Sequence, residues 1–171
     1  MESNFFLRLL RLVALVCIQV MICNNIHLFG CVSPIIISYM LVCMNQSTSR
    51  TALLLWGFAI GLIHDMFANT AGIAAASCTL AAMVQPKILS MFLPRDAAND
   101  FTPSFKSLGL FAYMTYTLLL TFIVNAAYIM LSMFTLSNWQ TTLCSIGGSV
   151  VLSTAVIMFI DSIVHGNRGS R

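Results

Sequence analysis

The stretch that decides the fold is Gly57-Phe58-Ala59-Ile60-Gly61-Leu62-Ile63-His64-Asp65. It lies inside a long apolar segment, yet it ends in a histidine and an aspartate. Gly57, Gly61 and Asp65 follow one another at intervals of four, so on an α-helix they form one stripe that drifts by about 40° per step. Because a carboxylate in a membrane helix is costly, we expect Asp65 to have a partner, a ligand or a capping role.

The composition of the chain is that of a membrane protein. Of its 171 residues, 59% are hydrophobic and only 8% are charged, and the mean hydropathy is +0.93. Soluble domains are about 25% charged, and about 20 apolar residues cross a bilayer core as one helix. The sequence therefore predicts an all-α integral membrane protein, with a single polytopic membrane domain over 1–171 and no soluble catalytic domain.

The apolar runs predict about six transmembrane helices. Ser33 and Pro34 form a good helix start, with a hydroxyl at the N-cap followed by proline at the first helical position. The second span is short, and three alternatives stay open: it begins as early as Ile26, it tilts, or it locally thins the bilayer. After Pro86 two continuations remain open, a helix that passes a kink or a segment that lies flat at the interface. The approximate spans are 5–23, 31–44, 51–67, 71–92, 108–134 and 141–164.

The cations predict the topology of these spans. With the N-terminus inside, all eight lysines and arginines fall at or near the cytoplasmic side, and the three outer loops carry none. The positive-inside rule then places both termini in the cytoplasm. A short uncharged outer loop holds Trp139, which we expect at headgroup depth. The cations are Arg8, Arg11, Arg50, Lys87, Arg95, Lys106, Arg168 and Arg171.

Asp65 has two interpretations. It follows Arg50 by about 22 Å of helix, which places it in the outer part of a core about 30 Å thick. It is either a ligand or proton site, or a polar clasp that caps the next helix across the short link 68–70. We favour the cap, because the free N–H groups and positive end of that helix attract a carboxylate. His64 projects about 100° away from Asp65 and is expected to be satisfied by backbone or water.

The glycines predict close helix packing. Gly57 and Gly61 match the small-xxx-small association pattern of membrane helices. The run of small residues that Gly72 opens can face them from the fourth segment, so Gly72 belongs to the same predicted surface. Internal packing is the favoured interpretation, and docking of a partner helix is the alternative.

The other polar residues within the predicted spans are few and scattered. Gln19 and Asn125 are expected to form hydrogen bonds across helices. Asp161, near the cytoplasmic end of the last span, is expected to meet headgroup water, His165 or Arg168. This sparse set does not indicate a transport pathway.

The sequence shows no pattern typical of an active site. None of the six cysteines forms a CxxC pair, so packing explains them better than a disulfide framework or a metal site. The sequence contains no Ser/His/Asp series and no metal-ligand spacing. It also has no glycine-rich phosphate loop between a strand and a helix. We therefore expect no enzymatic activity, no cofactor, no metal and no nucleic-acid partner.

The order of several motifs carries a resemblance to a known family. Gln19 lies in the first segment, and Leu28-Phe29-Gly30 is followed by Pro34. Next come Gly57-Phe58-xx-Gly61-Leu62-xx-Asp65 and then Gly72. In this order the chain resembles MreD, the membrane subunit of the bacterial rod-shape or elongation machinery. The resemblance covers about 19–86 and is generic over the last two spans.

The resemblance implies a scaffold without catalytic activity in the bacterial cytoplasmic (inner) membrane. Such a protein binds an MreC-like protein directly. MreB filaments, RodA and a class B penicillin-binding protein belong to the same assembly, which organises lateral peptidoglycan synthesis and cell shape. The implied fold is similar to the S component of energy-coupling-factor transporters. Two features depart from the family pattern: His64 stands where many relatives carry an apolar residue, and the second segment is short.

The alternative function is that of a substrate-binding S component of a vitamin transporter. Such a component recruits its energy-coupling module through small residues, usually Ala-xxx-Ala, on the first helix. The first segment here offers Ala14 followed by Ile18, so this motif is absent.

Overall fold

The computed structural model describes Leu12, 15–17, Gln19, 35–93, Pro103, 105–132 and 139–166. Regular structure in these ranges is helical, as the composition predicts. A 3-10 helix at Ile36–Ser38 leads into α1 (Tyr39–Val42), and the later helices are α2 (Arg50–Ala68), α3 (Ile73–Phe92), α4 (Phe105–Leu108), α5 (Leu110–Ser132) and α6 (Trp139–Gly166).

Four helices are long and apolar enough to cross a membrane. They are α2, α3, α5 and the part of α6 from Cys144 to Ile163. The bounds of the whole helices α2, α3, α5 and α6 lie within two residues of the predicted spans 51–67, 71–92, 108–134 and 141–164. The predicted first span, 5–23, lies mostly outside the described residues.

The second predicted span, 31–44, is described only from Ile35 onward. The 3-10 helix and α1 together hold seven residues, or about 10–14 Å, which is less than the thickness of a bilayer core. Every side chain over 35–42 is buried. A short helical segment at membrane depth is tolerated where protein surrounds it, because its unpaired backbone groups then do not face lipid. The predicted helix start at Ser33 and Pro34 lies outside the described residues.

The α2–α3 hairpin is built by local signals. Ser49 caps α2, because its hydroxyl accepts a hydrogen bond from the Ala52 N–H at 3.3 Å. Asn69 ends α2 in the left-handed conformation, with φ of 53°. Gly72, with φ of 78°, precedes the first residue of α3. Two left-handed residues within four positions reverse the chain, so α3 returns along α2.

Two details settle or change what the sequence predicts about helix boundaries. Pro86 lies inside α3, which continues to Phe92, so the flat interfacial segment is not formed. Trp139 was predicted in a loop, but the structure places it as the first residue of α6. The first settles an open alternative without changing the predicted end of the span, and the second starts α6 two residues before the predicted span 141–164.

The helices pack in sequence, with α2 on α3, α3 on α5 and α5 on α6. Small buried residues of α3 lie against α2, with Ala74 beside Gly61 and Ala82 beside Gly57. Large apolar side chains point outward, such as Phe111, which is 83% exposed, and Phe159, which is 68% exposed. A surface of this kind suits lipid rather than water.

Candidate functional site

The carboxylate of Asp65 joins the end of α2 to the start of α3. Its Oδ1 accepts a hydrogen bond from the Ala74 N–H at 3.0 Å, and its Oδ2 accepts one from the Ala75 N–H at 2.9 Å. The Thr70 hydroxyl also donates to Oδ1. Asp65 is only 5% exposed. These are the contacts that the cap interpretation requires, because the first N–H groups of a helix have no helical acceptor.

The main chain of Asp65 reinforces the same junction. Its carbonyl accepts hydrogen bonds from the N–H groups of Asn69 and Thr70, the latter at 3.1 Å. Backbone and side chain of one residue therefore hold both sides of the hairpin link. We call Asp65, Thr70, Ala74 and Ala75 the hairpin clasp.

Gly57 and Gly61 lie where α2 and α3 approach most closely. A Cβ on Gly57 would lie 2.7 Å from the Ala82 Cβ and 3.0 Å from the Cys78 carbonyl oxygen. A Cβ on Gly61 would lie 2.5 Å from the Ala75 Cα and would overlap the Ala74 carbonyl. These separations are shorter than van der Waals contact. The glycine face of α2 is therefore occupied by α3, as internal packing requires.

Gly72 has a different reason to be glycine from the predicted one. A Cβ at this position would meet no atom within 4 Å among the described residues, so close packing does not require glycine here. Its φ of 78° lies in the left-handed region, which other L residues avoid. Within the described chain, backbone conformation rather than close packing favours glycine at this position, and the alternative role of Gly72 in docking a partner helix stays a prediction.

Gln19 connects the first segment to two other elements. Its Oε1 accepts a hydrogen bond from the Ile36 N–H at 2.8 Å, and its Nε2 lies 3.5 Å from His64 Nε2 on α2. The adjacent Ile35 N–H donates to the Ser153 hydroxyl of α6 at 3.1 Å. We call Gln19, Ile35, Ile36, His64 and Ser153 the Gln19 junction. Gln19 bonds across elements, as its prediction requires.

His64 is a buried residue of the protein interior. It is 6% exposed, and its ring meets the Tyr128 ring edge-on with centroids 5.9 Å apart. The side chain of Gln19 lies beside its Nε2, where backbone or water was predicted as the partner. His64 Nδ1 is buried without a hydrogen-bond partner in the described part of the chain.

The predicted hydrogen bond of Asn125 across helices is not formed among the described residues, and Asp161 is too buried to meet headgroup water. The predicted contacts of Asp161 with His165 and Arg168 fall outside the described side chains. Asn125 donates from Nδ2 to the Thr121 carbonyl of its own helix at 2.8 Å, instead of bonding across helices. Asp161 is fully buried, and its Oδ1 accepts a hydrogen bond from the Tyr39 hydroxyl at 2.8 Å. The sequence does not predict Tyr39 as the partner, because Asp161 lies near the end of a long helix, a position that suggests exposure to solvent.

The interior is more polar than the sequence indicated. The overlooked groups are mainly hydroxyls on α5 and α6, which hydropathy scales score as nearly neutral. Their spacing at i, i+4 and i+8 was the available signal, since such residues share one helix face. They include Thr117, Thr121, Ser145, Ser149 and Ser153, and all are buried.

The described ranges contain four of the six cysteines. Cys17, Cys43, Cys78 and Cys144 are free thiols. Cys23 and Cys31, the remaining pair, lie outside those ranges. No group of three or more histidine, cysteine or acidic side chains there could hold a metal ion.

The chain matches no known protein family, no curated protein and no solved structure.

Proposed function

We propose that the chain is a rod-shape-determining membrane scaffold of the MreD type. It has about six spans, with both termini in the cytoplasm, and lies in the bacterial cytoplasmic membrane. It binds an MreC-like protein directly and belongs to one assembly with MreB, RodA and a class B penicillin-binding protein. It has no catalytic role and helps to organise lateral peptidoglycan synthesis.

The observation that carries this proposal is that the motif on α2 packs against α3 on one side and exposes apolar side chains on the other. Gly57, Gly61 and Asp65 face α3 and hold the hairpin together. The other two motif residues point outward, with Phe58 49% exposed and Leu62 42% exposed. Two large apolar side chains beside a rigid hairpin suit a surface that binds another membrane helix. A motif that packs one face against a neighbouring helix and leaves apolar side chains exposed on the other supports a scaffold.

The test is the identity of the proteins that accompany the full chain out of the membrane. We expect purification in mild detergent to recover an MreC-like protein with a single span. Phe58→Ala combined with Leu62→Ala should lower that recovery at least several-fold. Phe159→Ala is the control, because Phe159 is also an exposed apolar side chain, 68% exposed, but lies on α6 rather than α2. If all variants recover the partner equally, α2 is not the docking surface.

The S component of a vitamin transporter is the second candidate, and one observation favours it. The buried polar groups of α5, α6 and the Gln19 junction are more numerous than the sequence indicated. Polar groups converging inside a helical bundle are typical of small-molecule sites. Recovery of a pair of ATPases, or of a bound vitamin detected by its absorbance, would support this candidate and refute the scaffold.

A further inference from the structure

The tautomer of His64 follows from the orientation of Gln19. Because Gln19 Oε1 accepts the Ile36 N–H at 2.8 Å, the other end of the amide is the NH₂ group. That group lies 3.5 Å from His64 Nε2, which must therefore act as an acceptor. In a neutral imidazole the proton then resides on Nδ1. His64 consequently presents a buried N–H donor that has no partner in the described ranges.

Asn125 presents the complementary group. Its Nδ2 donates to the Thr121 carbonyl at 2.8 Å, so its Oδ1 is the free end of the amide. Asn125 is fully buried, and this oxygen likewise has no hydrogen-bond partner within the described chain. An acceptor and a donor are thus both unsatisfied in the interior of a membrane protein, where each such group costs several kcal/mol.

Tyr128 connects the surroundings of the two groups. The contact between the His64 and Tyr128 rings joins α2 to α5 at that point. Asn125 precedes Tyr128 by three residues, which is close to one helical turn and about 4.5 Å along the axis. A water molecule that accepts from one polar atom and donates to another joins heavy atoms about 4.5–5 Å apart. Asn125 lies within one helical turn of Tyr128, the residue whose ring His64 contacts.

We propose that a buried water molecule binds between α2 and α5, accepting from His64 Nδ1–H and donating to Asn125 Oδ1. Water fits because the site offers one donor and one acceptor, both uncharged. Buried waters in proteins typically have two to four such partners. The site would link the α2–α3 hairpin to α5 beside the Gln19 junction. It is independent of which function the protein serves.

The direct test is nuclear magnetic resonance on the full chain in lipid nanodiscs with ¹⁵N-labelled histidine. The His64 signals are assigned by their loss in His64→Phe. We expect a protonated Nδ1 whose proton shows a cross-peak to water, and we expect Asn125→Leu to abolish that cross-peak. A bare Nδ1, or a protonated Nδ1 without contact to water, would overturn the proposal.

A thermal double-mutant cycle provides a second measurement. We expect Asn125→Leu and His64→Phe each to lower the unfolding midpoint by about 2–4 °C, since each leaves the other group without its bridge. The double variant should lose less than the sum of the two. Thr115→Val is the control partner, because Thr115 lies exposed on the same helix. Additive shifts, or a higher midpoint for Asn125→Leu alone, would indicate a dry contact and refute the water site.

Discussion

Asp65 and Ala75 are ten residues apart in the chain, and the Asp65 carboxylate accepts a hydrogen bond from the Ala75 N–H at 2.9 Å. Its other oxygen accepts the Ala74 N–H. Both N–H groups belong to the first turn of α3, where helical acceptors are missing. One side chain of α2 therefore completes the next helix, and the hairpin closes around it.

The first prediction concerns the charge and shape of this clasp. Asp65→Leu removes both acceptors and should lower the free energy of unfolding by about 3–5 kcal/mol, because two buried N–H groups lose their partners. Asp65→Asn keeps one acceptor oxygen and should cost about 1–2 kcal/mol. Equilibrium unfolding of the purified protein in detergent measures both. A neighbouring control is Met66→Leu, since Met66 is 75% exposed and its replacement should change stability by less than about 0.5 kcal/mol.

If Asp65 is instead a proton site, we expect a different result for Asp65→Asn. Asparagine cannot release a proton, so an Asp65→Asn protein would then be as impaired in function as Asp65→Leu. If Asn restores stability and partner recovery together, the carboxylate acts as a cap. If stability returns while function does not, the cap interpretation is insufficient.

The second prediction concerns the two closely packed glycines of α2. Gly61→Ala should destabilise by about 1–3 kcal/mol and more than Gly57→Ala, because the atoms facing Gly61 are backbone and cannot move aside. Gly147→Ala is the control: a Cβ there meets no atom within 4 Å in the described structure. That variant should instead gain up to about 1 kcal/mol from better helix propensity. Equal losses at all three positions would show that close approach is not the reason for glycine.

The third prediction separates conformation from packing at Gly72. Gly72→Ala should cost about 1–2 kcal/mol, because alanine resists the left-handed φ of 78°. Gly72→Asn should cost less, since asparagine adopts this region more readily. Thermal unfolding of the two variants beside the wild type gives the order. An alanine variant as stable as the wild type would mean that the turn relaxes to another conformation.

The sequence predicts well what depends on one helix or on neighbours along the chain. The spans that became α2, α3, α5 and α6, and the geometry required for an Asp65 cap, follow from hydropathy, cap chemistry and a link too short for any other partner. Contacts between distant segments were not predictable. The Tyr39–Asp161 hydrogen bond joins residues 122 positions apart. Periodicity gives each residue a face on its own helix but does not say which helix will pack there.

The fourth prediction uses that distant pair. Tyr39 is 2% exposed, and its hydroxyl donates to fully buried Asp161. Tyr39→Phe keeps the ring and removes the hydroxyl, so it should lower the free energy of unfolding by about 1–3 kcal/mol. A cycle with Asp161→Asn should show coupling between the two changes, because both alter one hydrogen bond.

Tyr113 supplies the matched control for this substitution. It is fully buried as well, but its hydroxyl has no hydrogen-bond partner among the described residues. Tyr113→Phe removes an unsatisfied polar atom without leaving a cavity, so stability should stay the same or rise. Denaturant unfolding of both Phe variants then compares the same chemical change in two surroundings. If Tyr113→Phe costs as much as Tyr39→Phe, the bond to Asp161 is not what makes Tyr39 important.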